Sequence, residues 1–181
     1  PIKSSAASDV YKRQDLFIEY FNQHPEVKLI IAPHVIDENH LVEIIRKLKR
    51  PYVRYTRADE KNVRKADCLI IDCFGLLSSI YRYGEIAYIG GGFGVGIHNT
   101  LEAAVYGIPV IFGPKYQKFQ EAVQLLEAKG GFSVKSYEEL KALLDRMLED
   151  ESFLRETGTN AGTYVTGNAG ATDKVLGMIN F

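Results

Sequence analysis

Residues 89–102, IGGGFGVGIHNTLE, gather the chain's densest run of groups able to hold a ligand. A loop almost free of Cβ atoms lets backbone N–H groups approach an anion, and a helix start adds unpaired N–H groups that favour negative charge. Neither common nucleotide signature is complete here. In the dinucleotide pattern G-x-G-x-x-G, a start at Gly90 puts Val95 where the third glycine belongs, and a start at Gly92 puts Ile97 there. A P-loop counted from Gly91 reaches Gly96 and then meets Ile97 and His98 in place of Lys-Ser/Thr. The plain alternative is a strand–helix connection without a ligand, although about 2–6 residues normally suffice for one.

Asn99 and Glu102 form N-x-x-E at the start of an apolar helix. This spacing suits a capping box, with Asn99 as N-cap and Glu102 as its partner. It equally suits a carboxylate aimed at a ribose diol, and both readings stay open. His34 follows a proline that biases the chain away from helix, so it is either a donor to a phosphate or base edge or an idle loop residue. Asp72 and Cys73 end a buried strand; Cys73 has no paired base and is not expected to act as a nucleophile. His24 and His40 read as surface residues, and no two histidines have metal-ligand spacing. Nothing forms an acid/base pair, so no catalytic residue and no metal site are expected.

The elements that must position these groups alternate regularly. Helical stripes are expected over 15–24, 38–50, 75–84, 99–107, 116–131 and 136–156, with a last weak helix at 170–180 after a Gly/Thr/Asn-rich stretch. Strands are expected over 27–32, 52–56, 66–72, 85–91 and 108–113, with a short edge strand at 131–134. Five strands with right-handed crossovers give an α/β fold, a Rossmann-like doubly wound parallel sheet. In such sheets ligands bind beyond the carboxyl ends of the strands. That rule selects Pro33-His34, Asp72 to Leu76, Gly90 to Asn99, and Gly113 to Lys115.

Composition narrows the class. The 181 residues suffice for one domain with a real core, and 46% hydrophobic with 25% charged residues are globular values. Basic and acidic residues nearly cancel, 22 against 23, which argues against nucleic-acid binding. The run Arg46, Lys47, Lys49, Arg50 reads as a solvated helix face. Two cysteines, Cys68 and Cys73, make neither a disulfide framework nor a zinc pattern, consistent with a reducing cytoplasm. No apolar run approaches the roughly 20 residues of a membrane helix. The polar opening PIKSSAASDVYKRQ (1–14) reads as a non-native leader or linker, and 15–181 as a single domain without internal repeat or boundary.

The segments IAPHVIDENH and DCFGLLSSIYRYGEIAYIGGGFGVGIHNTLEAAVYGIPVIFGPKYQKFQEAVQLLEAKGG resemble the C-terminal half of 3-deoxy-D-manno-octulosonic acid (Kdo) transferases, most closely those of Bacteroidetes. The resemblance spans about residues 15–180 and rests on G-x-H-N-x-L-E followed by P-V-I-F-G-P. It implies the C-terminal, donor-binding half of a two-domain GT-B glycosyltransferase. Such an enzyme transfers Kdo from CMP-Kdo to a lipid A precursor with inversion, without a cofactor and with no metal at the donor site. It implies CMP contacts from Pro33 and His34, from Phe74, Gly75 and Leu76, and from Asn99, Thr100, Leu101 and Glu102, the acid taking the ribose hydroxyls. Two departures stand out: His34 replaces the family's arginine, and Leu76 replaces an acid, so any contact there is through backbone. The family's catalytic base is a glutamate of an N-terminal domain that also holds the acceptor site and the membrane anchor. The resemblance therefore implies that this half alone is inactive and that its first strand precedes residue 15. It also implies that the whole enzyme sits on the cytoplasmic face of the bacterial inner membrane. The alternatives are another GT-B protein, a UDP-sugar glycosyltransferase or nucleotide-sugar 2-epimerase, or a non-enzymatic nucleotide-binding module.

Overall fold

The computed structural model describes residues 15–90, 97 and 99–168. Residues 1–14, expected to be a leader or linker, the expected helix at 170–180, and residues 91–96 and His98 of the glycine loop lie outside the described residues. The chain runs α1 (Asp15–Gln23), β1 (Leu29–Ile31), α2 (Glu38–Lys47), β2 (Tyr52–Arg54), a 3-10 turn (Tyr55–Arg57), α3 (Glu60–Val63) and β3 (Cys68–Ile70). It continues through α4 (Leu77–Ile80), a 3-10 turn (Tyr81–Tyr83), β4 (Ala87–Tyr88), α5 (Leu101–Ala104) and β5 (Val110–Phe112). The last elements are α6 (Gln120–Glu127), β6 (Gly131–Ser133), α7 (Tyr137–Glu149) and α8 (Glu151–Asn168).

All described strand pairs are parallel, as expected for helices returning the chain between strands. The sheet is not the single five-stranded one read from the sequence. Among the described residues, six short strands form two three-stranded sheets, ordered β1-β3-β2 and β4-β5-β6. The two sheets nevertheless share their layers. Leu29, Ile31, Cys68, Ile70, Tyr88 and Ile111 point into one core with α1, α2 and α7. Ile30, Ile71, Ala87, Ile89, Val110 and Phe112 point into the other with α4, α5, α6 and α8. Alternate residues of one strand thus enter opposite layers, which is why LII and VIF are apolar throughout. The doubly wound parallel α/β class holds.

Several boundaries move for local reasons. Helix α2 ends at Lys47 because Leu48 is extended, at φ −76° and ψ 125°. Arg50 therefore leaves the basic helix face and turns inward. Its Nη1 donates to the carbonyls of Phe21, His24 and Val27 at 2.8–2.9 Å, and its guanidinium stacks 4.1 Å from the Phe21 ring centroid. It is a clamp on the end of α1, not a solvated cation. His40 is also buried, at 5% exposure, on the core face of α2, and His24 stacks on Tyr20 with ring centroids 3.8 Å apart. His40 is thus not the surface residue expected, whereas His24 stays partly exposed.

The helix expected over 136–156 is two helices: Asp150, at φ −112° and ψ 90°, breaks it, and α8 continues to Asn168 through the Gly/Thr/Asn-rich stretch. Two of its three glycines are there for contact. A Cβ on Gly158 would lie 2.3 Å from the Gly107 carbonyl oxygen, and one on Gly162 would lie 3.2 Å from the Gly107 Cα. Small residues let α8 lie against the Gly107 turn, and that packing overrides the low helix propensity of glycine. The stop after α6 also differs from the glycine stop expected. The left-handed residue is Lys129, at φ 59°, because Gly130 is used for a close approach in which its Cβ would sit 2.5 Å from the Ala161 nitrogen.

Candidate functional site

The carboxyl ends of β1 and β3 open into a cleft of about 180 Å³. Pro33 and His34 line one wall, Cys73, Phe74 and Gly75 the other, with Ile71 among the apolar lining residues. Two loops 40 residues apart in sequence therefore meet, because β1 and β3 pair in register from Leu29↔Cys68 to Ile31↔Ile70. Pro33 is buried and His34 exposed. Phe74 is 81% exposed at the mouth, an arrangement that offers a flat apolar face to a planar ligand. Gly75 holds φ 87°, a left-handed turn that carries the chain from the strand end into α4 and that a side chain would strain. Leu76 lies apart from this lining. It is partly buried against the core, and its carbonyl accepts from Ser79 and Ile80 in the first turn of α4.

A second cavity of about 350 Å³ is lined by Ile97, Asn99, Thr100, Leu101 and residues at the start of α6. Here the expected capping box takes a different form. Helix α5 begins at Leu101, with Thr100 at the N-cap and no side-chain cap bond. The Asn99 Oδ1 accepts from the Leu101 N–H at 3.0 Å, while its amide donates to Glu102 Oε1 at 3.1 Å. Glu102 thus holds the Asn99 side chain and not its backbone N–H, and its carboxylate stays partly exposed. With only four residues, α5 has a small macrodipole, so any anion near it would depend on individual N–H groups.

Sequence reasoning missed one constellation at the same edge of the sheet. Asp72, its side chain 1% exposed, follows β3 and precedes the cleft residue Cys73. Its Oδ1 accepts from the Thr56 N–H at 2.8 Å; its Oδ2 accepts from Thr56 Oγ1 at 2.6 Å and from Arg54 Nε at 2.8 Å. The other face of the Arg54 guanidinium donates to both Glu38 carboxylate oxygens, at 2.9 and 2.7 Å. Burial pushes the Asp72 carboxyl up, but the Thr56 and Arg54 hydrogen bonds outweigh it and hold the group below its ordinary value. The only sequence signal was an acid ending a buried strand. Its partners lie 16–18 residues away and meet it through the register Arg54↔Ile70. Among the described residues, no group of three or more His, Cys, Asp or Glu side chains could hold a metal ion.

No family model matches the chain. The 3-deoxy-D-manno-octulosonic acid transferase of Aquifex aeolicus (strain VF5) is 36% identical over 134 residues, which cover 73% of this chain and 36% of that protein. The transferase of the same description from Chlamydia muridarum (strain MoPn / Nigg) is 30% identical over 157 residues, covering 78% of this chain and 36% of that protein. The chain thus spans about a third of the length of these relatives. Among solved structures, the C-terminal CMP-Kdo binding domain of WaaA from Acinetobacter baumannii superposes with a TM-score of 0.75 at 17% identity, covering 91% of this chain and 89% of that domain. UDP-GlcNAc 2-epimerase from Neisseria meningitidis gives 0.67 at 15% identity, covering 99% of this chain and 44% of the epimerase. In fold the chain matches the C-terminal domains of GT-B glycosyltransferases, and in sequence it is similar to 3-deoxy-D-manno-octulosonic acid transferases.

Proposed function

We propose that this chain is the donor-binding half of a Kdo transferase, a glycosyltransferase that moves Kdo from CMP-Kdo to a lipid A precursor in lipopolysaccharide biosynthesis. The observation that carries the reading is the meeting of Pro33-His34 with Phe74-Gly75 in one cleft at the carboxyl edge of the sheet. The sequence likeness to Kdo transferases supports the choice of nucleotide. In this reading CMP lies along that edge, with His34 donating to it, Phe74 stacking on the base, and Glu102 accepting from the ribose hydroxyls. The segment Asn99 to Leu101 offers polar and backbone groups beside it, and Leu76 contributes backbone only.

The chemistry divides between two halves. A glutamate of the acceptor-binding half would remove the proton from the attacking hydroxyl, and attack from the opposite face would expel CMP with inversion. This half would orient the donor and stabilise the charge on departing CMP through hydrogen-bond donors. The reading involves no cofactor and no metal at the donor site. It has no role for nucleic acid. The lipid acceptor and attachment to the inner membrane, on its cytoplasmic face, would belong to the other half. No helix among the described residues is long and apolar enough to cross a membrane.

Titration calorimetry with CMP and UDP tests the nucleotide. Saturable CMP binding with weaker UDP binding is the expected result. Tighter UDP binding would favour the UDP-sugar enzymes whose fold this chain also shares.

A further inference from the structure

Two loops form the walls of the cleft, and one guanidinium is bonded to the base of each. The wall containing Pro33, His34 and Ile36 leads into α2, whose first residue is Glu38. The wall containing Cys73, Phe74 and Gly75 begins directly after Asp72. Arg54, the last residue of β2, donates through Nη1 and Nη2 to Glu38 and through Nε to Asp72. Thr56 holds the Asp72 carboxylate from the other side through both its backbone N–H and its hydroxyl.

We propose that Arg54 and Asp72 are positioning residues that fix the separation of the two cleft walls, and so set the affinity of the nucleotide site without touching the nucleotide. The bidentate fork fixes Arg54 in orientation as well as distance. The Asp72 side chain is 1% exposed and that of Arg54 14%, so the bond between them cannot be exchanged for water at little cost; Glu38, 69% exposed, is the more replaceable end and holds through its bidentate geometry. Every Asp72 oxygen is engaged by a group from β2 or the turn after it. A shift of the second wall therefore breaks a buried charge-assisted hydrogen bond, and a shift of the first strains the Arg54–Glu38 fork. The nucleotide arm of this inference rests on the function proposed above; the geometric arm does not.

The thiol of Cys73 reports the second wall directly. It is half-buried in the cleft, whereas Cys68 is 1% exposed in the core. The full chain would be treated with a thiol-reactive aromatic disulfide without nucleotide, with labelling at each cysteine followed by peptide mass. CMP affinity would be measured alongside by calorimetry, far below the melting temperature. Arg54→Lys keeps the charge but loses the fork, and Asp72→Asn keeps the shape but loses the charge. Each is expected to speed Cys73 labelling at least about fivefold and to weaken CMP binding at least about tenfold. Met147→Ala, a core truncation outside the cleft lining, should lower the melting temperature and change neither readout. Should Asp72→Asn fail to fold, Arg54→Lys and Glu38→Gln, at an exposed carboxylate, carry the test. Unchanged Cys73 labelling overturns the proposal, as does unchanged affinity where the wild type binds CMP. A wild type that does not bind CMP overturns the nucleotide reading and leaves the labelling rates to decide the clamp.

Discussion

The Asn99 amide donates to the Glu102 carboxylate at 3.1 Å while the Asn99 carbonyl oxygen takes the Leu101 N–H at 3.0 Å, so one side chain links the helix start to the acid beside it. The same carboxylate is therefore oriented without being saturated: one oxygen meets Asn99, and the group remains partly exposed. This arrangement separates the two roles that N-x-x-E spacing leaves together. Glu102→Gln keeps an acceptor for Asn99 but loses the charge offered to a ribose diol. A charge-assisted hydrogen bond contributes about 1.5–3 kcal/mol, so the variant should bind CMP roughly 10- to 100-fold more weakly. Its melting temperature should stay within about 2 °C of the wild type, because the pair is exposed. Calorimetry and thermal denaturation on one preparation check both halves; intact affinity with a lowered melting temperature would make Glu102 a structural residue.

His34 stands where the resemblance places an arginine, on the exposed rim of the cleft. A guanidinium is permanently charged and can grip a phosphate with two parallel donors, which an imidazole cannot. His34→Arg should tighten CMP binding by about three- to tenfold and steepen its salt dependence, with little change in folding. Calorimetry at low and high salt reads this, and weaker binding by the variant would remove His34 from the phosphate side of the site.

Acid should unfold the chain through a small set of carboxylates. Asp72 is held below the ordinary value of 3.8 by Thr56 and Arg54, against its burial, and Asp67 is held below it by Lys28 and Arg50. A depressed folded value means that the unfolded chain takes up protons first as pH falls. The stabilisation from these groups is complete above about pH 4–5 and is lost as pH drops through their folded values. These two carboxylates should therefore contribute no change in melting temperature from pH 7 to about 5 and lower it steeply below about 4. Asp72→Asn should lower it at pH 7 and give a shallower acid slope, measured by scanning fluorimetry from about pH 2 to 7. An unchanged slope would mean that Asp72 is not among the groups that titrate on unfolding.

The buried strands were legible because both their faces are covered. A run such as LII or VIF needs no alternation when alternate residues enter two cores. Helix faces were legible by period, and the ligand edge followed from parallel topology. Pro33, His34, Phe74 and Gly75 could thus be assigned to one edge before any contact was known. Arg54 and Arg50 were not legible in the same way. Each is a cation in a polar stretch, and its role depends on carbonyls and carboxylates brought to it by the fold. The continuation of α8 beyond residue 156 was not legible because glycines that mark a loop in a local reading serve a packing contact here. His40 was missed because a single histidine carries too little periodic signal to reveal which helix face it takes.

Lys129 shows where a local rule gives way to a neighbour's need. It holds φ 59° just after α6, a conformation costing a side chain about 1 kcal/mol, while the glycine beside it is taken for the approach to Ala161. Lys129→Gly should therefore raise stability by up to about 1 kcal/mol, less the extra freedom glycine gives the unfolded chain. Urea denaturation with an unchanged slope would register it as a shift of midpoint, and a loss of stability would mean that Lys129 makes a compensating contact.

The contact between α8 and the Gly107 turn can be tested by adding one methyl group. Gly158→Ala would place a Cβ 2.3 Å from the Gly107 carbonyl oxygen, well inside van der Waals contact and against backbone that cannot rotate away. Either α8 or the turn must shift, and overpacking of this kind costs about 1–3 kcal/mol or more. Gly167→Ala provides the comparison, since among the described residues its Cβ would meet nothing within 4 Å and the same helix should gain up to about 1 kcal/mol from the better helix former. For a domain of this size the two variants should melt several degrees apart, on opposite sides of the wild type. If α8 merely rested near the turn and carried none of its packing, both substitutions would follow helix propensity and both would raise the melting temperature. Opposite signs from the same chemical change on one helix can arise only from what each glycine faces.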